Sequence, residues 1–578
     1  MSRSARSITV VALALLWFAG AARGQQAATA APAFARSVDL APLGAVAVHQ
    51  DGRLKSFDSF ARSMMQMVTG PGRFEGQSDA FTYLDLIMRN ERYLDADLLY
   101  VKKKPIRARI LTALQNSPYA TVPGFSAWAE GFMDSGMISR GRLATEPVVE
   151  VMADLNADLV RTAKFVQMLE TAVALTDARR LLDAWRIVPP ANGDVLAQWS
   201  NMGEVMNLEG QSSLNGMDAA TRERVLNTWI SLVTAWRNED AAGVNGAVAE
   251  LAGVLPTINT ELYPSWNRLA WESWYFKMKN LVWVWLIYAF ALVPLTLSLL
   301  FRWRVARWLG VGMFLGAFGM QTFALLLRWY VSQRWPNTNM FEAVTTACWF
   351  GGVAAILLEI WVRKTRMRGL FILSSAVASM IAFMAAHYYP LHLDPNISNR
   401  MPVLFDVWLY IHTNVIIFSY CLIFMAAVTA CAYLGYRLIG KFTGFGGPGD
   451  FARVGGAGSL IVTNPEGGSV ITSPKSTFGQ VLDGTTMVLM ELSFIMLWAG
   501  LVMGAIWADH SWGRPWGWDP KEVFALNTFL VFAVLVHGRI KVKDKGMWTA
   551  VIALVGAGVM LFNWIAINFV ITGLHSYA

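Results

Sequence analysis

The clearest indication of the fold class is a run of 21 uncharged residues, Leu281-Val-Trp-Val-Trp-Leu-Ile-Tyr-Ala-Phe-Ala-Leu-Val-Pro-Leu-Thr-Leu-Ser-Leu-Leu-Phe301. About 20 helical residues cross the hydrocarbon core of a bilayer, so this run is predicted to be a transmembrane helix. Further apolar runs of similar length follow it, at about 306–328, 342–362, 369–388, 413–436, 481–508, 521–540 and 548–571. The pattern predicts an all-α fold, a polytopic membrane helix bundle of about eight spans within residues 276–578.

The composition of the whole chain agrees with a membrane protein. Its 578 residues are 55% hydrophobic and only 15% charged, whereas globular domains carry about 25% charged residues. The three cysteines, Cys348, Cys421 and Cys431, lie in apolar runs and form no Cys-x-x-Cys pair. This spacing argues against a zinc ribbon, a disulfide scaffold and a covalent haem attachment site in this chain.

The residues before the membrane half have a different character. Residues 1–24 begin with Arg3 and Arg6, continue through an apolar core and end in small residues. That is the pattern of a cleavable signal peptide, and the alternative is an uncleaved anchor helix. Residues 25–275 contain no run long enough to span a bilayer, and their apolar residues recur at helical spacing. We expect them to form a mostly helical domain exported across the membrane.

The basic residues predict the orientation of the bundle. With residues 25–275 outside, the inner loops hold fifteen lysines and arginines. The outer loops hold three, or five with the boundary residues Arg328 and Lys521. This asymmetry follows the positive-inside rule and places both the N-terminal domain and the C-terminus outside. It also accounts for the net charge of +8 without nucleic acid as a partner.

Tryptophans are concentrated in the outer loop predicted at residues 504–522. Four of them fall within twelve positions: Trp507, Trp512, Trp516 and Trp518. Tryptophan is common at membrane interfaces, so one interpretation is an aromatic belt. The other is a platform for a flat apolar ligand such as a porphyrin, whose propionates would meet Arg514 or Lys521.

Two histidines are predicted at the same face as this loop. His412 begins the fifth span and His575 follows the eighth, so the two imidazoles could supply both axial ligands of a haem iron. The alternative for each histidine alone is a polar interface residue. His537 lies near the inner end of the seventh span, where an ionisable residue is a candidate functional site. His387 and His392, which precede His412, are alternative ligands.

The tryptophan-rich loop carries a resemblance to a known family. The segment Trp512-Gly-Arg-Pro-Trp-Gly-Trp-Asp-Pro-Lys-Glu522 resembles the WWD signature of haem-handling proteins, most of all the CcsA/ResC branch of system II cytochrome c biogenesis. One departure is Pro515, where the signature usually has an aromatic residue. Further similar segments extend the resemblance over about residues 328–578: Pro336-Asn-Thr-Asn339 with Glu342, Tyr410-Ile-His412, Leu535-Val-His537 and Gly573-Leu-His575.

The resemblance implies which residues handle haem b, which is the substrate. His412 and His575 would bind the iron at the outer face, and His537 would serve a transit site on the way. The loop would hold the ring through Trp507, Trp512, Trp516, Trp518, Arg514, Asp519 and Lys521. Asp519 and Glu522 are interpreted mainly as residues that fix the loop, and no catalytic acid or base is assigned.

The resemblance also implies an activity and partners. The activity would be delivery of haem across the membrane and its covalent attachment to Cys-x-x-Cys-His motifs of apocytochrome c, by a subunit of a system II synthetase. The alternative is a haem exporter or chaperone without attachment activity. A separate ResB/CcsB-type subunit, apocytochrome c and thiol-reducing, thioredoxin-like proteins would be its partners in a bacterial inner membrane. The weaker similarity of residues 51–62 suggests the longer version of the family that has an exported domain.

Overall fold

The computed structural model describes residues 31–50, 52–158, 162–192, 198–206, 217–277, 280–390, 392–397, 406–443, 477–538, 541–542 and 544–569, without the side chains of 280, 443, 536 and 567–569. The chain forms two compact units, residues 1–276 and 277–578. Each unit buries its own hydrophobic core.

The first unit is built mainly from short helices. They are α1 (Ala33–Ser37), α2 (Ala41–Gly44), α3 (Phe57–Thr69), α4 (Asp79–Met88), α5 (Lys104–Gln115), α6 (Phe125–Ser135), α7 (Arg140–Leu143), α8 (Glu146–Ala157), α9 (Ala163–Ala174), α10 (Ala178–Ala184), α11 (Met202–Met206), α12 (Ala219–Arg237), α13 (Ala241–Ile258) and α14 (Trp266–Lys277). Single 3-10 turns lie at Phe74–Gly76, Asn90–Tyr93 and Pro118–Thr121.

Three antiparallel strand pairs interrupt these helices and were not predicted. They are β1 (Ala47–Gln50) with β2 (Arg53–Ser56), β3 (Leu99–Tyr100) with β4 (Met137–Ile138), and β5 (Arg186–Val188) with β6 (Ser200–Asn201). Each pair is only two to four residues long, too short to show as an alternating pattern.

Side-chain caps and large aromatic residues hold the first unit together. The hydroxyl of Ser56 accepts a hydrogen bond from the Ser59 N–H at the start of α3, a type of cap that stabilises a helix by about 1 kcal/mol. In the core, Trp236 is fully buried with its ring centroid 5.0 Å from that of Phe81. Such aromatic contacts contribute much of the energy of a core.

The second unit consists of long helices. They are α15 (Asn280–Phe301), α16 (Arg304–Ser332), α17 (Met340–Trp361), α18 (Leu370–Tyr388), α19 (Val407–Thr443), α20 (Phe478–Trp512), α21 (Pro520–Gly538) and α22 (Lys545–Phe569). A capping box between Thr477 and Gln480 starts α20. The helices α19 and α20 pack along each other and form the centre of the unit with α22.

Eight helices in the described part of the chain are long and apolar enough to cross a bilayer. Seven of them coincide with predicted spans. The eighth, α13, belongs to the first unit, where Val244, Val248 and Leu251 are buried in the core, so its apolar residues fill that core. The remaining predicted span forms α21, whose 19 residues rise about 28 Å. The prediction of a polytopic, all-α membrane protein is confirmed.

Two helices near the predicted outer face are longer than the apolar runs that predicted them. Helix α19 begins at Val407 instead of 413, and α20 continues to Trp512 instead of 508. The added turns carry polar residues such as His412 and Asp509, which lower the hydropathy while the backbone stays helical. Residues 504–512 are therefore helix, and the connection between α20 and α21 is only residues 513–519.

Candidate functional site

A cavity lies at one end of the second unit, where α17, α19, α20, α21 and α22 come together. Its volume is about 300 Å³, at the lower end of the usual range of small-molecule sites. Its walls come from residues 337–343, 409–420, 501–525 and 563–564, which are far apart in sequence. The fold therefore brings the WWD-like loop, the His412 segment and the Pro336–Asn339 segment into one site.

His412 lines this cavity from the second turn of α19. Its Nδ1 lies 2.7 Å from the carbonyl oxygen of Gly500 on α20. Because a carbonyl oxygen only accepts, Nδ1–H is the donor, and in the neutral ring Nε2 then carries the lone pair. Metal-binding histidines usually have this arrangement, with the non-ligating nitrogen donating to a carbonyl or a carboxylate.

Two of the four predicted tryptophans line the cavity. Trp507 is 2% exposed, and Trp516 is half-buried. Behind them lie Trp512, whose ring centroid is 4.8 Å from that of Trp507, and Trp518, at 5.9 Å from Trp516. Both pairs meet edge to face, an arrangement that stabilises aromatic contacts and fixes the orientation of the inner indole.

The connection between α20 and α21 is held by its own hydrogen bonds. Helix α20 ends at Gly513, which adopts the left-handed conformation that closes many helices. Trp518 has φ 55, a strained conformation for a residue with a side chain. Glu522 stabilises it, because Oε2 accepts from the N–H groups on both sides, of Gly517 at 2.8 Å and of Asp519 at 3.2 Å.

The charged residues of this loop occupy different positions. Lys521 lines the cavity together with Glu522. Asp519 is buried and accepts a hydrogen bond from the Lys521 N–H at 3.2 Å, so it caps the start of α21. Arg514 is exposed and lies over Gly517. Of the loop residues predicted to bind a ligand, the structure thus brings Trp507, Trp516 and Lys521 to the cavity.

The wall formed by Asn337, Thr338 and Asn339 was not predicted as part of the site. Asn337 Nδ2 donates to Thr413 Oγ1, beside His412, at 3.1 Å. Thr338 Oγ1 and Trp516 Nε1 are buried polar atoms of the lining that have no hydrogen-bond partner among the described residues. Such atoms are rare in folded proteins. The similarity of residues 336–339 to the family was the sequence signal that could have found this wall.

The base of the cavity was also missed. Asn563 on α22 donates to the Tyr420 hydroxyl on α19 at 2.7 Å, and both side chains are buried. Trp564 lies beside them, with its ring centroid 6.2 Å from that of Tyr420. A polar asparagine within an apolar span is unfavourable in a membrane, and this was the sequence signal that could have pointed to Asn563.

A buried ion network supports the Asn337–Asn339 wall. Glu342 is fully buried and pairs with Arg328 at 2.8 Å and with Arg334 at 2.7 Å. It also accepts from the Thr338 N–H at 2.8 Å. Arg328 in turn donates to the carbonyl oxygen of Pro395 at 2.6 Å. The wall is therefore held to the rest of the unit by charge-assisted hydrogen bonds, which are stronger than neutral ones.

Three other candidate histidines, His387, His392 and His537, are not part of the cavity lining. His537 is exposed near the end of α21, with Nδ1 donating to the Ala533 carbonyl at 2.8 Å. It follows Lys521 by sixteen residues, about 24 Å along the helix. His387 packs against Tyr388, with centroids 4.9 Å apart, and neither it nor His392 is part of the lining. His575 lies outside the described residues.

These features define a class: a multi-pass membrane protein with an aromatic cavity at one end, into which one helix presents a histidine. Comparison with known proteins agrees with this class. Residues 337–575 match the family described as Cytochrome C assembly protein. The cytochrome c biogenesis protein CcsA of Synechococcus sp. (strain CC9311) is 31% identical over 303 residues, 50% of this chain and 96% of that protein. CcsA of Gloeobacter violaceus is 30% identical over 321 residues, 51% of this chain and 90% of that protein.

The chain belongs to this family of cytochrome c biogenesis proteins, and the predicted resemblance is confirmed. A longer relative, Protein NrfI of Wolinella succinogenes, is 24% identical over 545 residues, which are 91% of this chain. The chain thus resembles a family member along its first unit as well as its second. It spans about half of the length of NrfI, 53%. Membership of the family supports a role in cytochrome c maturation.

Proposed function

We propose that this chain carries haem b to the outer face of the membrane and attaches it to apocytochrome c, as a subunit of a system II cytochrome c synthetase. The observation that carries the proposal is the cavity in which His412, Trp507 and Trp516 meet. A flat apolar ring with an iron at its centre matches indole walls and an imidazole better than any polar substrate would.

The chain's own residues would bind and orient this substrate. His412 would ligate the iron through Nε2, because Nδ1 donates to the Gly500 carbonyl. His575 is proposed as the second axial ligand. Trp507 and Trp516 would contact the ring, and the Lys521 ammonium would pair with a propionate. Glu522 would keep the loop in the shape that presents these groups.

The attachment step needs positioning more than acid–base groups. Each cysteine thiol of a Cys-x-x-Cys-His motif adds across a haem vinyl group: the sulfur bonds to one vinyl carbon and a proton goes to the other. No electrons are gained or lost overall. The histidine of the motif would replace one axial ligand of the iron. The protein would contribute by holding the reacting groups close together and excluding water.

Haem would need a route across the membrane, and its attachment would need partner proteins. His537 would serve as a transit site nearer the inner face, and a ResB/CcsB-type subunit would complete the synthetase. Thiol-reducing proteins would keep the cysteines of apocytochrome c reduced. The excess of basic residues in the predicted inner loops supports a bacterial inner membrane with residues 25–275 and the C-terminus in the periplasm.

The test is an absorption spectrum of the detergent-purified protein. Haem should be present in the wild type and should fall at least about tenfold in His412→Ala and in His575→Ala, with partial recovery when imidazole is added. His510→Ala is the matched control, because His510 is an exposed histidine in the last turn of α20, close in sequence to the α20 residues that line the cavity. Absence of haem from the wild type, or equal haem in all variants, would falsify the proposed site.

Attachment is tested separately from binding. The chain and a ResB-type subunit are expressed with a reporter cytochrome c in a host stripped of its own maturation pathway. Haem that stays on the reporter after denaturation shows attachment. If haem is bound by the chain but never becomes covalent on the reporter, the exporter or chaperone function is the correct one.

A further inference from the structure

The imidazole of His412 packs directly against the backbone of helix α20, at Gly504. A Cβ placed on Gly504 would lie 2.6 Å from the His412 Cε1 and 2.9 Å from its Nδ1. Real Cβ atoms do not approach so closely, so the ring occupies the space that any other residue at 504 would fill. Gly504 follows Gly500 by one helical turn, and Gly500 is the residue whose carbonyl accepts from the same ring at 2.7 Å.

The geometry of a helix explains why the hydrogen bond to the Gly500 carbonyl requires a glycine at position 504. Side chains in a helix tilt toward its N-terminus, so a side chain at 504 would cover the carbonyl at 500. A helical carbonyl keeps a second lone pair after its bond within the helix, and His412 uses it. Glycine inside a helix costs about 1 kcal/mol relative to alanine. A glycine at 504 therefore needs a compensating function, and access of His412 to the backbone supplies one.

Hydrogen bonds from a second segment hold the turn of α19 that carries His412. The Trp335 indole Nε1 donates to Asn414 Oδ1, and the Trp335 backbone N–H donates to the Tyr410 hydroxyl, both at 2.9 Å. Asn337 donates to Thr413 at 3.1 Å. The residues around His412 are thus tied to the segment 335–337, while the imidazole itself is tied to α20.

We infer that Gly504 is a positioning residue for haem ligation: it opens the backbone of α20 to His412, so that the Gly500 carbonyl fixes the tautomer and the ring plane of the ligand. The inference rests on the proposed function. A carbonyl that accepts from the non-ligating nitrogen also makes the imidazole a stronger donor to iron, and loss of such partners costs about 10- to 100-fold in metal affinity.

The test places Gly504→Ala in two backgrounds of the full-length protein. With His412 present, Gly504→Ala should lower the bound haem at least about tenfold and shift the absorption bands of the remainder away from the six-coordinate form. In His412→Ala supplied with free imidazole, the same change should have no further effect, because a free ligand chooses its own orientation. A general packing defect would instead lower haem in both backgrounds.

Two control variants distinguish loss of the contact between His412 and the α20 backbone from general steric crowding between helices. Gly435→Ala lies on α19 in open space, with nothing within 4 Å of the added Cβ, and should keep full haem. Gly351→Ala crowds α19 at a different place, with the added Cβ 2.3 Å from Cys421 Sγ, and should lower stability but not haem per folded protein. Equal haem loss in Gly351→Ala and Gly504→Ala would overturn the inference. If His412→Ala itself keeps its haem, then the proposed function is wrong, and not only the positioning role of Gly504.

Discussion

Two buried carboxylates, one in each unit, have similar partners but different surroundings. Asp85 in the first unit and Glu342 in the second are both fully buried, and each pairs with two arginines. Asp85 Oδ1 accepts from Arg89 at 2.6 Å and from Trp236 at 2.8 Å, and Oδ2 accepts from Tyr93 at 2.6 Å. Burial raises the pKa of Tyr93, and the Asp85 charge adds to this effect, so the phenol stays a donor.

The difference lies in where each network ends. Asp85 bonds the core residues Tyr93 and Trp236, and its two arginines continue to Glu239 and Glu75 at the surface, where the network ends in further ion pairs. The partners of Glu342 lead to the wall at residues 337–339, where the Thr338 hydroxyl has no hydrogen-bond partner among the described residues. A complete network stabilises a fold, whereas an incomplete one beside a cavity indicates a place for a ligand.

The largest effect is expected for Glu342→Ala. It leaves two guanidinium groups, of Arg328 and Arg334, buried without their carboxylate, and breaking such a pair costs about 3–5 kcal/mol. The free energy of unfolding of the second unit should fall by about that amount, and bound haem should fall with it because the wall is released. Thermal unfolding and the haem spectrum of the purified protein measure both.

The matched change in the first unit is Asp85→Ala. It should cost a similar amount of stability, about 3–5 kcal/mol, measured by limited proteolysis of the first unit within the full-length chain. Haem per folded protein should stay at the wild-type level. The comparison fails if Asp85→Ala removes haem as strongly as Glu342→Ala does.

Smaller changes in stability, opposite in sign, are expected for substitutions of two threonines, Thr346 and Thr338. The Thr346 hydroxyl is buried and donates to the Pro336 carbonyl at 2.8 Å, so Thr346→Val should lower the stability, by about 1–2 kcal/mol. Thr338→Val removes a buried hydroxyl without a partner and should raise the stability of the haem-free protein by about 1 kcal/mol. Melting temperatures with and without haem test this pair, and an equal loss in both variants would show that the Thr338 hydroxyl is satisfied.

Much of the membrane fold could be predicted from the sequence, because a bilayer demands long apolar helices. Most of the spans follow from hydropathy alone, and the errors fall at helix ends such as 407–412, where polar residues continue the helix. His412, Trp507, Trp516 and Lys521 were recognised through a local motif and line the cavity.

The way in which the other site residues pair could not be predicted, because it depends on contacts between distant residues. Tyr420 and Asn563 are 143 positions apart, and Asn337 and Thr413 are 76 apart. A local pattern contains no information about such pairs. The position of Arg514 outside the cavity lining could not be predicted for the same reason, since the direction of its side chain depends on how the loop closes at Gly513.

The smallest effect is expected where an ion pair is exposed. Arg437 pairs with Asp544 at 2.5 Å, and both side chains are partly exposed. The hydrogen bond from Arg437 lowers the pKa of Asp544 below its ordinary value. A carboxyl group with a lowered pKa adds stability above the pKa of the unfolded chain, about 3.9, and this stability is lost as the pH falls through the lower folded value.

Asp544→Asn tests that pair alone. Asparagine keeps the cap that Asp544 Oδ1 forms with the Met547 N–H at 3.0 Å, so only the charge is removed. The wild type should be more stable than the variant near pH 7 by less than about 1 kcal/mol, and the two should converge below about pH 4. Melting temperatures at both pH values measure the difference. A gap that persists at low pH would mean that Asp544 contributes through hydrogen bonding and not through its charge, unlike Asp85 and Glu342, where burial makes the charge costly to leave unpaired.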